Sequence, residues 1–275
     1  MDISVIVPTY NRPQALRLCL LSLAGQSTMP SEVLIADDGS GPDTRATVQE
    51  MQESLHDRFP IKHVWQEDRG FRKPKILNET VRQSSGDYLI FIDGDCMAHR
   101  DFVKAHAENS HPDRILSGKR VEIGKKLTER LLKEATILNC LTLRLIWDAV
   151  MRESRKVEEA IPITNNILRR LLHRDRITPD GVWGCNFSLY KDLFLAINGC
   201  DEDFVDGSIE DNDIGIRVLN QGKHLRTVRS LAIIFHLWHN STWAFQNEKY
   251  RHNLAILQRR MTKKETFCRN GIEKL

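Results

Sequence analysis

Short apolar runs rich in β-branched residues alternate with amphipathic segments along the first hundred residues. The runs that predict buried strands cover residues 3–8, 32–36, 61–65 and 88–92. Between them, the helical spacing of apolar residues predicts helices that begin near Arg12 and near Ser40, and a third over residues 75–83. This alternation predicts right-handed βαβ units and therefore an α/β fold with a Rossmann-like, mostly parallel central sheet flanked by helices.

The apolar spacing becomes helical in the middle of the chain. Positions 127–141 and 167–172 carry leucines at helical intervals, which predicts a helical insertion over residues 125–176. The remaining predicted elements are a loop and strand over residues 181–189, helices over 191–197 and 209–220, a strand over 230–235 and a C-terminal helix over 245–261. No internal repeat interrupts this order.

The composition is that of an enzyme with a substantial core. Hydrophobic residues make up 41% of the chain and charged residues 28%, which excludes an intrinsically disordered protein. The net charge is only +3, but residues 119–176 carry 14 Lys and Arg against eight Asp and Glu, and residues 249–275 carry eight against two. Such basic segments suit a phosphorylated acceptor or an anionic membrane, and are equally consistent with solvated helix faces.

The cysteines and the N-terminus favour a cytoplasmic protein. The six cysteines include no CxxC pair, which argues against a zinc site and against a disulfide framework. The first residues lack the features of a signal peptide, and apolar runs such as residues 231–235 are too short to span a bilayer. We therefore expect at most a peripheral contact with the cytoplasmic face of a membrane and no nucleic-acid partner. The oligomeric state is left open.

Two aspartates, Asp93 and Asp95, directly follow the predicted strand 88–92. Residues two apart in extended backbone project to the same side. Their carboxylates can hold a hard divalent cation and, through it, a diphosphate, whereas two adjacent buried charges without a cation are unfavourable. A simple polar turn at the strand end is the alternative. We favour a metal site.

A second aspartate pair, Asp37 and Asp38, ends the predicted strand 32–36. The carboxylate of Asp38 can accept the imide N–H of a uracil ring, and an Asx turn into the next helix is compatible with this role. The basic loop over residues 69–75 can screen a diphosphate or form an exposed turn. Within it we assign Lys75 to the nucleotide site.

Acidic residues accumulate before the predicted helix 209–220. They are Asp201, Asp203, Asp206, Glu210, Asp211 and Asp213, and no Lys or Arg occurs over residues 192–216. Such a patch requires a metal, a catalytic purpose or abundant water. Transfer to an alcohol requires a base, so we assign Asp211 as the base and Glu210 to orient the acceptor. The alternative is capping of the helix.

Two further groups supply candidate ligands. His236 and His239 follow the last predicted strand, and imidazole suits Mn²⁺ as well as Zn²⁺, so His236 is predicted to complete the metal site, with His239 as the alternative. Trp183, Gly184 and Asn186 combine an aromatic face, a close backbone approach and a polar amide that suit sugar binding. A core tryptophan at a bend is equally consistent with this segment.

The order of these motifs is similar to that of the family 2 glycosyltransferases. The segments that carry the resemblance are residues 5–12, 36–40 and 85–95. Residues 183–188 and 210–213 resemble the galactosyltransferase-type C-terminal half found in bacterial chondroitin-polymerase-like enzymes and β-1,4-galactosyltransferases, and residues 236–239 are similar to the metal-completing end of such domains. The similarity covers roughly residues 3–100 and 180–240. The helical insertion does not match.

This resemblance implies a GT-A fold, inversion at the anomeric carbon, Mn²⁺ or Mg²⁺ and a UDP-sugar donor, with a glycan or glycolipid acceptor in cell-surface polysaccharide synthesis. The nucleotide-sugar site implied comprises Pro8, Thr9, Tyr10, Arg12, Asp38, Lys75, Asp93 and Gly94. Asp93, Asp95 and His236 mark the metal site, and Asp211 is the base. A metal-dependent nucleotidyltransferase and a non-catalytic sugar-binding module remain as alternatives, although the first loop lacks the glycines of the former.

The same resemblance divides one continuous catalytic domain into four parts. Residues 1–100 form a nucleotide-sugar-binding half and residues 101–180 a connecting region with the helical insertion. Residues 181–242 form the acceptor and catalytic half, and residues 243–275 the C-terminal helix and tail.

Overall fold

A computed structural model describes residues 1–139, 141–176, 181–206, 209–240 and 248–275. The strands are β1 (Ile3–Thr9), β2 (Glu32–Asp37), β3 (Ile61–Trp65), β4 (Tyr88–Phe91), β5 (Cys96–Ala98), β6 (Arg114–Ser117), β7 (Val121–Glu122), β8 (Phe187–Tyr190), β9 (His224–Thr227) and β10 (Ile234–His236). The helices are α1 (Pro13–Ala24), α2 (Pro42–Ser54), α3 (Lys73–Gln83), α4 (Phe102–Asn109), α5 (Lys125–Glu134), α6 (Leu143–Val150), α7 (Asn166–Leu171), α8 (Lys191–Ala196), α9 (Glu210–Asn220) and α10 (Glu248–Lys263), with a 3-10 turn at Val157–Ala160.

The central sheet has the strand order β3-β2-β1-β4-β8-β6-β9. Its strands run parallel except β8, which is antiparallel to both β4 and β6. A smaller sheet, β5-β10-β7, lies beyond the end of β4. The predicted α/β class with a mostly parallel sheet is confirmed. Because β4 pairs with β8, the first and third predicted parts of the chain share one sheet.

Alternate residues of the central strands enter two different cores. Val5 and Val7 of β1 pack with α1 and α2, whereas Ile6 faces the opposite layer formed by α3, α8 and α9. Both faces of the sheet are therefore covered at its centre, and β1, β2 and β4 are mainly apolar runs because neither of their faces meets water. The edge strands β3 and β9 are partly exposed.

The carboxyl ends of β1, β2 and β4 are tied together. The Asp38 N–H donates to the Thr9 carbonyl at 3.1 Å, and the Gly94 N–H donates to the Pro8 carbonyl at 2.9 Å. A Cβ at Gly94 would lie 2.9 Å from the Pro8 oxygen, so this contact requires glycine. These bonds bring the side chains that follow three strands to one edge of the sheet.

Several predicted boundaries move. The helical insertion forms as short helices, because α5 ends at Glu134 and Ala135 adopts a left-handed conformation with φ 47°. The last strand covers only Ile234–His236 rather than residues 230–235, since Ser230 also has positive φ. Helix α10 begins at Glu248 in the described part, and its predicted first residues 245–247 lie outside it.

A buried ion network docks α10 on α9. Arg217 Nε lies 2.7 Å from Asp213 Oδ2, and Arg260 of α10 pairs with both Asp213 and Asp201. These side chains are at most 2% exposed. The sequence interpretation that the acidic patch requires a metal, a catalytic purpose or abundant water is therefore wrong for Asp201 and Asp213, because arginines from later in the chain neutralise them. The network fixes α9, and with it Glu210 and Asp211.

Among the described cysteines, Cys19, Cys96, Cys185, Cys200 and Cys268 are free and buried. Cys140 lies outside the described residues. No helix in the described ranges combines the length and apolar character needed to cross a bilayer.

Candidate active site

A cavity of about 440 Å³ opens at the carboxyl ends of β1, β2 and β4. Its lining consists of Pro8, Thr9, Tyr10, Arg12, Ala36, Asp38, Gly70, Phe71, Lys73, Ile76, Asp93, Gly94, Asp95 and His239. Most residues that the sequence analysis assigned to the nucleotide and the metal, from three separate segments, thus share one cavity, whereas Lys75 and His236 are not part of its lining. This convergence follows from the parallel sheet, whose strand ends meet at one edge.

One end of the cavity contains Asp38. Its carboxylate accepts hydrogen bonds from the backbone N–H of Arg72 at 2.8 Å and from the Gln66 side chain. Burial raises the pKa of Asp38, although these bonds oppose the shift. The carboxylate of the neighbouring Asp37 lies 2.9 Å from His63 Nε2 and accepts a hydrogen bond from the Ser40 N–H at 2.8 Å. Asp37 therefore stabilises the turn after β2 and does not line the cavity. Asp38 is therefore the carboxylate available to a ligand.

Asp95 lies at the centre of a cluster of cationic and imidazole groups. Its Oδ2 lies 2.6 Å from Arg12 Nη1, 3.6 Å from His236 Nε2 and 3.5 Å from His239 Nε2. Burial opposes ionisation of Asp95, but His236 and Arg12 lower its pKa below the usual value. Burial also lowers the pKa of His236, which favours the neutral imidazole that binds metals.

The donor set of this cluster fits a divalent transition metal. Ligand atoms of Asp95, Cys96 and His236 all lie within 4.8 Å of one another. Burial raises the pKa of the Cys96 thiol well above its usual value, so carboxylate oxygen and imidazole nitrogen are the better ligands. A mixed O and N set suits Mn²⁺ more than Mg²⁺. In this structure Arg12 supplies the positive charge beside Asp95 that a metal would bring.

Lys73 links the metal side of the cavity to helix α9. Its Nζ lies 3.1 Å from Asp93 Oδ1 and 3.7 Å from Glu210 Oε1. Burial would lower the pKa of Lys73, but Asp93, Glu210 and Asp211 together raise it, so the ammonium ion is favoured. The sequence analysis chose Lys75 from the same loop, but the structure places Lys73 in the cavity lining. Lys75 is exposed and does not line the cavity, since α3 begins at Lys73 and turns the two side chains to different faces.

Asp211 is held at the start of α9 by two backbone donors. Its carboxylate accepts hydrogen bonds from the Gly184 N–H and, at 2.9 Å, from its own neighbour, the Asn212 N–H. Burial and the adjacent charge of Glu210 raise the pKa of Asp211 to about 7. A carboxyl group with a pKa near neutrality is suited to accept a proton under physiological conditions. The backbone of Gly184 approaches Asp211 closely, and a Cβ at position 184 would lie only 3.1 Å from Asp211 Oδ2. Glycine therefore suits this position.

Asn186 does not face the cavity. It is fully buried, and its amide donates to the carbonyls of Lys119 and Ala232 at 2.9 Å each. Its Oδ1 contacts His106 Nε2 at 3.1 Å. Every polar atom of the amide is thus engaged inside the protein, so we do not retain the prediction that Asn186 binds sugar. Trp183, three residues earlier, is only half-buried and remains a candidate.

Some site residues were missed by the sequence analysis. Lys73 lies within the basic loop 69–75 that the sequence analysis identified. Choosing Lys73 over Lys75 required the position of the first residue of α3, which only the structure gives. Gln66, which donates to Asp38, and Arg120, a cation near Asp93, carried no motif. The sequence signal for Arg120 was only its place in the basic segment 119–176.

Two family models match this chain. The model described as glycosyl transferase family 2 matches residues 4–194, and the model described as the N-terminal domain of galactosyltransferase matches residues 174–240. Validoxylamine A glucosyltransferase of Streptomyces hygroscopicus subsp. limoneus is 31% identical over 235 residues, covering 80% of this chain and 48% of the relative. Chondroitin synthase of Escherichia coli is 26% identical over 246 residues, covering 85% of this chain and 34% of the relative. The chain spans about half the length of these relatives, or less.

Solved structures share the fold. The mannosyltransferase PcManGT from Pyrobaculum calidifontis in complex with GDP-Man and Mn²⁺ has a TM-score of 0.61 at 17% identity, covering 94% of this chain and 64% of that one. GalNAc-T7 with UDP, GalNAc and Mn²⁺ has a TM-score of 0.62 at 12% identity, covering 94% of this chain and 48% of that one. The expected GT-A fold is confirmed.

Proposed function

Because the chain belongs to glycosyl transferase family 2, we propose that it transfers a sugar from a nucleotide diphosphate sugar, with UDP as the nucleotide, to a hydroxyl group of a glycan or glycolipid. The observation that carries this proposal is the single cavity that joins Asp38, Asp93 and Asp95 and is linked through Lys73 to the carboxylates of α9. The nucleotide sugars and Mn²⁺ in the related structures support it. A role in polysaccharide synthesis is supported by the similarity to chondroitin synthase.

The donor lies along the cavity in this proposal. Asp38 accepts the imide N–H of uracil, because each carboxylate oxygen retains a lone pair beyond its present hydrogen bond. Asp93, Asp95 and His236 hold the metal, with His239 as the alternative ligand. A divalent ion bound by these residues would neutralise charge on the diphosphate leaving group. Arg12 and Lys73 border the same part of the cavity and add positive charge.

The acceptor approaches from the side of α9. Asp211 takes the proton of the acceptor hydroxyl while that oxygen attacks the anomeric carbon from the face opposite the diphosphate. One displacement of this kind inverts the anomeric configuration. Glu210 orients the acceptor, and its charge keeps the proton affinity of Asp211 high. The ammonium group of Lys73 lies between Asp93 and Glu210 and compensates part of the negative charge of both carboxylates.

A donor screen tests the proposed reaction against its rivals. The protein with Mn²⁺ is incubated with a panel of UDP- and GDP-sugars, and slow nucleotide release by donor hydrolysis is measured. Release of pyrophosphate in a parallel incubation with UTP and a sugar 1-phosphate instead favours the nucleotidyltransferase, and absence of turnover with every donor favours the sugar-binding module.

We expect Asp38→Ala to weaken UDP binding by about 10- to 100-fold, because a hydrogen bond to a charged, buried carboxylate is lost. Isothermal titration with UDP in the presence of Mn²⁺ measures the effect. Asp43→Asn is the matched control, since Asp43 is an exposed residue in the first turn of the next helix, α2. Equal UDP affinity in the wild type and Asp38→Ala would remove Asp38 from the nucleotide site.

We also propose that the helical insertion contacts an anionic membrane surface. Leu143, Trp147 and Val150 of α6 are 87%, 64% and 68% exposed, and Ile167 and Leu171 of α7 are 73% and 70% exposed. Exposed arginines accompany these apolar faces at positions 144, 152 and 170. Apolar side chains beside arginines are the features of helices that lie in a membrane interface. A cytoplasmic location remains a prediction of the sequence.

Vesicle co-sedimentation tests this contact. We expect the protein to sediment with vesicles of equimolar phosphatidylcholine and phosphatidylglycerol and to bind phosphatidylcholine vesicles more weakly. The double substitution Leu143→Ser with Trp147→Ser lowers the binding constant by about 10-fold or more, because two interfacial anchors on one helix face are lost. Leu219→Ser, on the exposed side of α9, is the control. Equal sedimentation of the double variant and the wild type contradicts the proposal.

A further inference from the structure

Cations from two separate segments surround the ring of Trp183. Lys119 Nζ lies 4.0 Å from the ring centroid, Lys156 Nζ 4.6 Å and Arg120 Cζ 5.4 Å. Lys119 and Arg120 lie between β6 and β7, whereas Lys156 comes from the helical insertion. The insertion therefore reaches the acceptor side of the site through Lys156.

Two donors in this cluster lack a hydrogen-bond acceptor among the described residues. The Nε1 of Trp183 and the Nε of Arg120 are buried and make no hydrogen bond within the part of the chain that the structure describes. Buried polar groups are nearly always paired in folded proteins, so each exception points to an absent partner. Both groups are N–H donors, which means that the absent partner is an acceptor.

The ion pairs of the cluster, among the residues that the structure describes, are unbalanced in the same sense. Glu122 lies 2.6 Å from Lys156, 2.8 Å from Arg155 and 3.9 Å from Arg120. One carboxylate is thus shared by three cations. Positive charge in excess and unpaired donors both call for an anion.

The cluster lies next to the proposed base. Trp183 directly precedes Gly184, whose N–H donates to Asp211. A group bound at Trp183 is therefore close to the carboxylate that takes the acceptor proton. Arg120 also lies near Asp93, so the donor diphosphate is the competing anion for this residue. Lys156 comes from the insertion. A substitution of Lys156 can therefore show experimentally whether the cluster binds an acceptor anion or the donor diphosphate.

We propose that Trp183, Arg120 and Lys156 form a subsite for an anionic group of the acceptor, either the carboxylate of a uronic acid or a phosphate ester. The planar guanidinium group of Arg120 pairs with either anion through two parallel hydrogen bonds, and Lys156 adds a second charge. This inference names the acceptor class of the proposed transferase and rests on that function.

The test measures acceptor binding without turnover. The protein saturated with UDP and Mn²⁺ is titrated calorimetrically with p-nitrophenyl β-D-glucuronide, with N-acetylglucosamine 6-phosphate and with their neutral counterparts, p-nitrophenyl β-D-glucoside and N-acetylglucosamine. We expect at least one anionic probe to bind about 10-fold or more tightly than its neutral counterpart, which a charge-assisted hydrogen bond supplies. The stronger of the two identifies carboxylate or phosphate as the anion.

Variants at position 156 test whether the charge of Lys156 causes the preference for the anionic probe. Lys156→Gln is expected to weaken the preferred anionic probe by about 5- to 10-fold and Lys156→Arg to restore most of the affinity, because only the former removes the charge. Lys133→Gln, an exposed lysine near the end of α5, is the matched control.

Three results overturn the subsite. These are equal affinity for anionic and neutral probes, no measurable binding of either anionic probe, and an equal loss of UDP affinity in Lys156→Gln, which would assign the cluster to the donor diphosphate. The proposed transferase function fails separately, if no nucleotide is released from any donor in the screen.

Discussion

Asp211→Asn is expected to lower the rate of sugar transfer by about 10³-fold, within the range attributed to a positioned general base. Asn keeps the shape of the side chain and its carbonyl oxygen can still accept the Gly184 N–H, whereas the second hydrogen bond, from the Asn212 N–H, is lost. UDP binding should remain nearly intact because Asp211 does not line the donor cavity. Steady-state release of UDP in the presence of acceptor measures the rate, and calorimetry measures UDP affinity.

The pH dependence follows from the same residue. Burial and Glu210 raise the pKa of Asp211 to about 7, so the carboxylate is protonated below this pH and cannot act as the base. The transfer rate of the wild type should therefore fall as the pH drops below about 7. The residual activity of Asp211→Asn should lack this acidic limb.

Asp211→Asn should also stabilise the folded protein at alkaline pH. Because the pKa is higher in the folded than in the unfolded state, the folded protein binds the proton more tightly. The free energy of unfolding therefore decreases as the pH rises from about 4, the ordinary aspartate value, to about 7. We expect the variant to gain roughly 1–3 kcal/mol at pH 8 and much less near pH 4.

Thermal unfolding at the two pH values checks the stability effect. Asp203→Asn is the control, because Asp203 is exposed and lies in the same acidic segment. A collapse of UDP affinity in Asp211→Asn would show that Asp211 serves the donor, and an unchanged transfer rate would exclude it as the base.

Asp95→Ala is expected to abolish Mn²⁺-dependent UDP binding and to lower transfer by about 10³-fold or more, since the charge stabilisation that a metal gives the leaving group amounts to several kcal/mol. Asp95 is the residue on which Arg12, His236 and His239 converge. The enhancement of UDP affinity by Mn²⁺ in calorimetry, and Mn²⁺ binding followed by electron paramagnetic resonance, are the measurements.

Asp87→Asn provides the comparison, because Asp87 is exposed at the opposite end of β4. Parallel measurements on His236→Ala and His239→Ala assign the imidazole ligand, and the true ligand should show the larger loss of Mn²⁺ affinity. Retained Mn²⁺ enhancement of UDP binding in a folded Asp95→Ala protein would place the metal elsewhere.

Local patterns in the sequence were sufficient for the central part of the fold. The strands β1, β2, β3 and β4 were predicted within one residue at each end. For β1, β2 and β4 the reason is that a strand buried on both faces is a short apolar run whatever its neighbours are, whereas β3 is a partly exposed edge strand. Their carboxyl ends were predicted to hold ligands, and the structure places Asp38, Asp93 and Asp95 on one cavity. The elements over residues 96–124 were not predicted, and of these β5, β6 and β7 are too short to show a period.

The sequence by itself determined that this is an α/β protein with acidic side chains at the ends of parallel strands, because hydrophobic periodicity and strand-end position are local properties. Only the tertiary structure decided which polar side chains reach the cavity. It selected Lys73 over Lys75, placed Asn186 in the interior and neutralised Asp213 with Arg260 of a distant helix. These outcomes depend on contacts between segments far apart in the chain, and no local pattern records which distant side chain completes a charge pair.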